Sequence, residues 1–239
     1  VGAGMTGILC ADLLRKEGIS CLVCEAAKVG RGTSAGTTAV VSAQHDLYLR
    51  YVKKFGWEKA GLYLKANLEA VESFRQLCGE IDCDFETCPS FFYTTQENPQ
   101  FREEISVLKK LKFSAKLHRR IPIPGEICAA VEFPAQAQFH PLKFIAALSN
   151  GIQIRQGAQI IRIEKDTAFT KTHRIHARKI LIAAHYPFLG IHGFYPLKLY
   201  QKRSYVLALE NAAKYEGNYV QDREDGFYFR NYKDLLLIG

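Results

Sequence analysis

The chain is 239 residues long, 48% hydrophobic, 12% aromatic and 23% charged, which can bury a large core and excludes the disordered, collagen-like and coiled-coil classes. No apolar run approaches the roughly 20 residues that span a bilayer, so a membrane-spanning segment is excluded for this stretch. The formal net charge is +8. Its densest cluster, Lys109, Lys110, Lys112, Lys116, Arg119 and Arg120, contains no acid and reads as a basic helix face or loop. No nucleic-acid module accompanies it, so we expect no nucleic-acid partner; an anionic small ligand accounts for part of the charge. Seven cysteines, an odd number in a chain too long to need disulfide staples, read as reduced thiols of a cytoplasmic protein. The sequence opens at Val1-Gly2-Ala3-Gly4 and stops within an apolar run at 235–239 that reads as a buried strand, so we expect a fragment cut inside structural elements at both ends.

Residues 5–17 carry Leu9, Leu13 and Leu14 at helical spacing and end at Gly18, which adopts the positive φ of a helix C-terminus at low cost. Residues 20–24 form a short apolar run suited to a buried parallel strand, so the opening predicts a βαβ unit. The stretch 28–38 is a glycine- and hydroxyl-rich loop whose free N–H groups suit an anion. Helices are predicted at 47–55 and 58–80, a strand at 91–95 and a charged helix at 101–112, followed by a stretch broken by Pro122, Pro124 and Pro134. His140-Pro141 opens a helix over 142–149. Strands at 153–155, 159–164, 168–170 and 179–184 read as a β-meander returning to a parallel strand. Those at 205–209, 227–229 and 235–238 read as a second, more antiparallel region.

Gly2, Gly4 and Gly7 spell G-x-G-x-x-G, and Glu25 ends the next strand. Gly2 permits the tight turn, Gly4 admits a pyrophosphate to the backbone, Gly7 lets helix and strand pack closely, and Glu25 can bond ribose hydroxyls. The helix N-terminus adds N–H donors and partial positive charge. An NAD(P) enzyme would continue in alternating strands and helices, whereas this chain enters a Gly/Thr/Ser loop and a long helix, which favours FAD. An acid at position 25 argues against a 2′-phosphate.

Taken in order, Val1-Gly2-Ala3-Gly4-Met5-Thr6-Gly7, the loop Gly30-Arg31-Gly32-Thr33-Ser34 through Thr37-Thr38-Ala39, Ser42-Ala43-Gln44-His45, Gln138-Phe139-His140-Pro141-Leu142-Lys143-Phe144 and Ile182-Ala183-Ala184-His185 form a set of motifs covering essentially the whole chain. With them the chain resembles the FAD-dependent oxidoreductases of the D-amino-acid oxidase and glycine/sarcosine oxidase superfamily. It is nearest a bacterial branch in which some members carry a Rieske iron–sulfur domain. The resemblance implies an α/β fold, with an FAD-binding Rossmann-like βαβ domain and β-meander interleaved with an α+β substrate domain of mainly antiparallel sheet. The FAD-binding segments would be 1–80 and 137–190, the substrate segments 81–136 and 191–232, and 233–239 the start of a final FAD segment. It also implies that Gly2, Ala3, Gly4, Met5, Thr6 and Gly7 hold the pyrophosphate and Glu25 the ribose, with Ala26 beside it. Gly32, Thr33, Ser34, Thr37, Thr38 and Ala39 would run along pyrophosphate and flavin, Ile160 would face the adenine, and Ala183 and Ala184 would line the cofactor. Most of the family's first strand and its C-terminal glycine-rich segment are missing, so we expect these residues alone to hold FAD weakly or not at all.

The implied activity is dehydrogenation of a small amine, amino acid or similar polar substrate by hydride transfer to flavin, with electrons passing to oxygen or a redox carrier. A catalytically silent flavin-fold or interaction protein and an NAD-linked dehydrogenase are the alternatives. Arg203 and Arg230 are candidates to clamp a substrate carboxylate, because the planar guanidinium matches two oxygens. His45 is the candidate base or hydrogen-bond donor. Cys21-x-x-Cys24 spans opposite faces of a strand, and Cys78, Cys83 and Cys88 match no zinc pattern, so no metal is expected.

Overall fold

The computed structural model describes residues 1–186, 188 and 194–239. In chain order the elements are α1 (Met5–Lys16), β1 (Leu22–Cys24), α2 (Thr33–Gly36), β2 (Val40–Val41), α3 (Tyr48–Phe55), α4 (Trp57–Gly79), β3 (Glu86–Thr94), α5 (Gln100–Lys110), β4 (Lys116–His118) and β5 (Ala129–Gln138). They continue with α6 (Pro141–Leu148), β6 (Gln153–Arg155), β7 (Arg162–Glu164), β8 (Thr167–Phe169), β9 (Arg174–His176), α7 (Tyr195–Lys198), β10 (Leu207–Leu209), β11 (Asn218–Gln221), β12 (Tyr228–Tyr232) and β13 (Leu235–Ile238). Two compact units result: unit 1 joins 1–37 to 141–204, and unit 2 joins 38–140 to 205–239.

The mixed α/β, interleaved architecture is the expected one, but the division falls elsewhere. Residues 38–80, expected in the first cofactor segment, group with the sheet of unit 2. The reason is packing: Leu47, Tyr48, Leu49, Leu64 and Val71 share one core with Phe92, Val131 and Phe133. The expected boundary at 190/191 lies outside the described residues.

In unit 1, α1 packs on α6 and β1. It starts at Gly4, whose extended backbone makes it the N-cap, and stops at Gly18, where φ is +71° and Ile19 N donates to Leu14 O at 2.8 Å. β1 pairs in parallel with β6, and β7, β8 and β9 form the meander. The strand expected at 179–184 is reduced to ladder bonds with the chain start: Val1 N donates to Leu181 O at 2.6 Å and Ala183 N to Val1 O at 2.8 Å. Gly2 N donates in turn to Cys24 O at 2.8 Å.

Unit 2 is built on an eight-stranded sheet of order β10-β13-β12-β11-β3-β5-β2, with β4 on β5. Only β11 and β3 run parallel among these pairs. Strand alternation divides the buried hydrophobic side chains: Phe92, Val131 and Phe133 meet the helices α3, α4 and α5, while Phe91, Tyr93 and Tyr219 pack with Ile121 in a separate cluster. α3 and α4 are separated by Gly56 at φ +84°, which ends one helix and caps the other. The N-cap of α3, Leu47, has no side-chain acceptor. The buried Glu104 of α5 replaces one, accepting from Tyr48 N and Leu49 N at 2.8 Å each.

β5 corrects the sequence reading, which took Pro134 for a breaker. The register pairs Cys88 with Gln136 and Ser90 with Phe133, leaving Pro89 of β3 and Pro134 and Ala135 of β5 unpaired in the ladder. Each proline lacks an N–H and sits where the ladder needs none, with Ala135 at φ +54° completing the bulge.

Candidate functional site

A cleft of about 800 Å³ opens in unit 1 over the N-terminus of α1. Of the residues singled out from the sequence, Gly2, Gly4, Met5, Thr6, Glu25, Ala26, Gly32, Thr33, Ser34, Thr37, Ile160, Ala183 and Ala184 line it. The loop expected at 28–38 contains the short helix α2, and this turn carries Ser34 to α1: its Oγ accepts from Met5 N at 3.0 Å. A hydroxyl from a distant segment thus does what Gly4, lacking a side chain, leaves undone at the first turn.

The glycines are required by contact. Gly2 has φ +100°, and a Cβ there would lie 2.6 Å from Ala183 O; a Cβ on Gly7 would collide with Gly2 O. A Cβ on Gly4 would project 3.2 Å from Ser34 Oγ, into the space the cleft keeps open. Gly7 and the fully buried Ala3 do not line the cleft but form the turn beneath it.

Glu25 is bound on both oxygens, Oε2 by Ala3 N at 2.7 Å and Oε1 by Ala27 N at 2.8 Å. A carboxylate has about four acceptor positions, so two remain for hydroxyls. It is the acid of the cleft lining, and Arg31, to which the sequence reading gave no role, is the guanidinium there. N–H donors at a helix end, one cation and one half-committed carboxylate are the donor set a dinucleotide needs. The residues fit FAD.

The other candidates are not among the residues that line this cleft. Thr38 and Ala39 belong to unit 2, where Ala39 is buried at φ +52°. Arg230 is 2% exposed and committed to carbonyls: Nε donates to Thr38 O, Nη2 to Phe139 O at 3.0 Å and Nη1 to Asn231 O at 3.4 Å. Burial pulls its pKa below the ordinary guanidinium value. It therefore bolts β12 to the backbone before β2 and after β5, and presents no open fork. Arg203 is exposed in unit 1, ahead of β10. His45 is exposed in unit 2, with Nε2 3.2 Å from Asn67 Oδ1 of α4. Cys24 is buried beside Ile160 and Ala168, while the Cys21 thiol reaches Ala11 O at 3.9 Å, so the two make no redox pair.

Gly30, Ala27, Gln159 and Phe188 also line the cleft and had no assigned role, and His185, expected to do no more than border the cofactor, lines it as well. Gly30 has a readable reason: φ is +72° and a Cβ would lie 2.9 Å from Leu142 Cδ2. Gln159 and Phe188 carry no local signal.

A family model described as DAO, FAD dependent oxidoreductase, matches residues 1–239. The chain is 35% identical over 236 residues to the putative Rieske 2Fe-2S iron-sulfur protein YhfW of Bacillus subtilis (strain 168), covering 92% of this chain and 46% of that protein. It thus spans about half the length of the curated relative it matches. Among solved structures, glycine oxidase from Geobacillus kaustophilus superposes with a TM-score of 0.72 at 17% identity, over all of this chain and 69% of that one. L-proline dehydrogenase from P.horikoshii gives a TM-score of 0.74 at 16% identity, over all of this chain and 67% of that one. At such identities the likeness is one of fold.

Proposed function

Given that the chain belongs to the DAO family of FAD-dependent oxidoreductases, we propose that the protein binds FAD in the cleft of unit 1 and oxidises a small amine, amino acid or similar polar substrate. The observation that carries this reading is the cleft, where the glycine turn, the first turn of α1 and Glu25 converge. Bound FAD supplies the hydride acceptor, and the protein supplies binding and orientation.

In this reading the N–H groups of the Gly2–Gly7 turn and Arg31 hold the pyrophosphate. The free lone pairs of Glu25 take ribose hydroxyls beside Ala26. Gly32, Thr33, Ser34, Thr37, Ala183 and Ala184 follow the cofactor, Ile160 covers the adenine side, and Thr38 and Ala39 serve the flavin. Arg203 clamps a substrate carboxylate and His45 acts as base or donor, while Arg230 fixes the Thr38 backbone. The seven free thiols support a cytoplasmic setting. The test is purification of the full-length protein, identification of released FAD, and anaerobic bleaching by a panel of amino acids and amines. Protein without FAD would sink the reading.

The Rieske name of the relative, of which this chain covers 46%, favours an iron–sulfur centre as electron acceptor. Substrate reduction followed by electron paramagnetic resonance checks it: a reduced [2Fe–2S] signal is expected, and full turnover with oxygen in protein lacking iron would reject it.

A further inference from the structure

A second cavity of unit 1, about 720 Å³ in volume, adjoins the cleft and shares Ala26, Ala158 and Gln159 with it. One wall is the strap that follows β6, from Arg155 to Gln159. Its backbone is tied to the segment of Glu25: Glu25 N donates to Arg155 O at 2.9 Å, and Ala158 N to Glu25 O at 2.8 Å. The other wall is the turn between β8 and β9. That turn is held from within. Thr170 Oγ1 accepts from His173 N at 2.8 Å and from Thr172 N at 3.2 Å, and Thr170 N donates to His173 O at 3.0 Å. The side chains that it offers to the cavity thus start from a fixed backbone.

The lining carries Arg155, Lys171 and Arg174, with no aspartate or glutamate. None of the three makes an ion pair or a side-chain hydrogen bond among the described residues. Elsewhere in unit 1 cations are answered by acids: Arg15 and Lys16 meet Asp12 at 2.7 and 3.0 Å, and Arg162 meets Glu164. Three cations brought to one concavity without a counter-charge focus a positive field into it.

We propose that this cavity binds a phosphate-bearing anion. A carboxylate offers two oxygens and a single charge, which one guanidinium fork satisfies. A phosphate brings three acceptor oxygens and about two charges, which match two forks and an ammonium. The volume falls in the range of small organic ligands, roughly 300–1,000 Å³, and the half-buried Leu22 and Ile175 add apolar surface beside the cations. Two sources share this chemistry, the free phosphate ion and the phosphate monoester of a small metabolite. The inference does not rest on the flavin reading, since Arg155, Lys171 and Arg174 do not line the cleft.

The experiment uses the full-length protein saturated with FAD, beside the double variant Arg155→Gln, Arg174→Gln. Both positions are exposed, so the fold tolerates the change. Isothermal titration with inorganic phosphate is one arm and with glycerol 3-phosphate the other, and glycerol, which lacks the anion, is the control. Saturable one-to-one binding is expected, weakened about tenfold or more in the double variant and weakened by added salt, with FAD content unchanged. Arg31→Gln, in the cleft, should leave phosphate affinity within twofold. Tighter binding of glycerol 3-phosphate identifies a monoester as the ligand, and otherwise the free ion is assigned. Should the double variant fail to fold, Lys171→Gln gives the same readout. No saturable binding of either probe up to about 10 mM, or an affinity that the double variant leaves within twofold, overturns the proposal. Protein that takes up no FAD is titrated as purified, and the double variant against Arg31→Gln keeps the two sites apart, so failure of the flavin reading and failure of this inference are separate results.

Discussion

In unit 1 the turn at the cleft works through main-chain donors and through glycines that carry no side chain, whereas in unit 2 several buried polar side chains hold backbone across long sequence separations. Gly2, Gly4 and Gly7 act by what they lack. Arg230, Glu104 and Gln136 act by reach, from β12 to Thr38, from α5 to Tyr48 and from β5 to Ala43. The first kind of site depends on local conformation, and the second exists only once distant strands have paired.

Unit 1 is most directly challenged by Gly7→Ala, whose added carbon meets the carbonyl of Gly2. We expect a loss of about 4 kcal/mol or more in unit 1 together with FAD binding, read by chemical denaturation and flavin titration. Wild-type behaviour would show that the turn yields.

In unit 2, Glu104 is pushed up to about 7 from 4.5 by burial, which outweighs the two N–H donors that lower it. An acid held above its ordinary value binds its proton more tightly folded than unfolded. Stability therefore falls as pH rises from about 4.5 to about 7 and is level above that. The change expected is about 3 kcal/mol, and Glu104→Gln should abolish the slope in pH-dependent denaturation.

Next in size is Arg230→Met, which leaves the carbonyls of Thr38 and Phe139 without their donors. A cost of about 2 kcal/mol is expected by urea denaturation. Unchanged stability with a raised KM confined to carboxylate substrates would instead make Arg230 a clamp. Arg203→Ala, at an exposed position, should change stability by less than about 0.5 kcal/mol, so any large rise in KM reports substrate contact.

The contrast also explains what could be read from the sequence. The glycine turn, Glu25 and the helices α1, α4 and α5 follow from spacing within a few residues, and each was legible. β5, β4 and β11 were not, because their stability comes from partners far along the chain and, in β5, Pro134 hides a long strand. The buried commitment of Arg230 was equally invisible, since a guanidinium beside aromatics reads the same whether its partner is a ligand or a carbonyl. The placement of 38–80 with the sheet depended on Leu64 and Val71 meeting Phe133, a contact that periodicity does not specify.

The paired prolines of β3 and β5 have a consequence for how the sheet finds itself. Sliding β5 by one residue would turn Val131 and Phe133 away from the helices and bring a ring that cannot donate against a position where the ladder calls for an N–H. The neighbouring alignments are thus penalised twice. Two residues that contribute no donor act as a proofreading device for the longest pairing among the described residues.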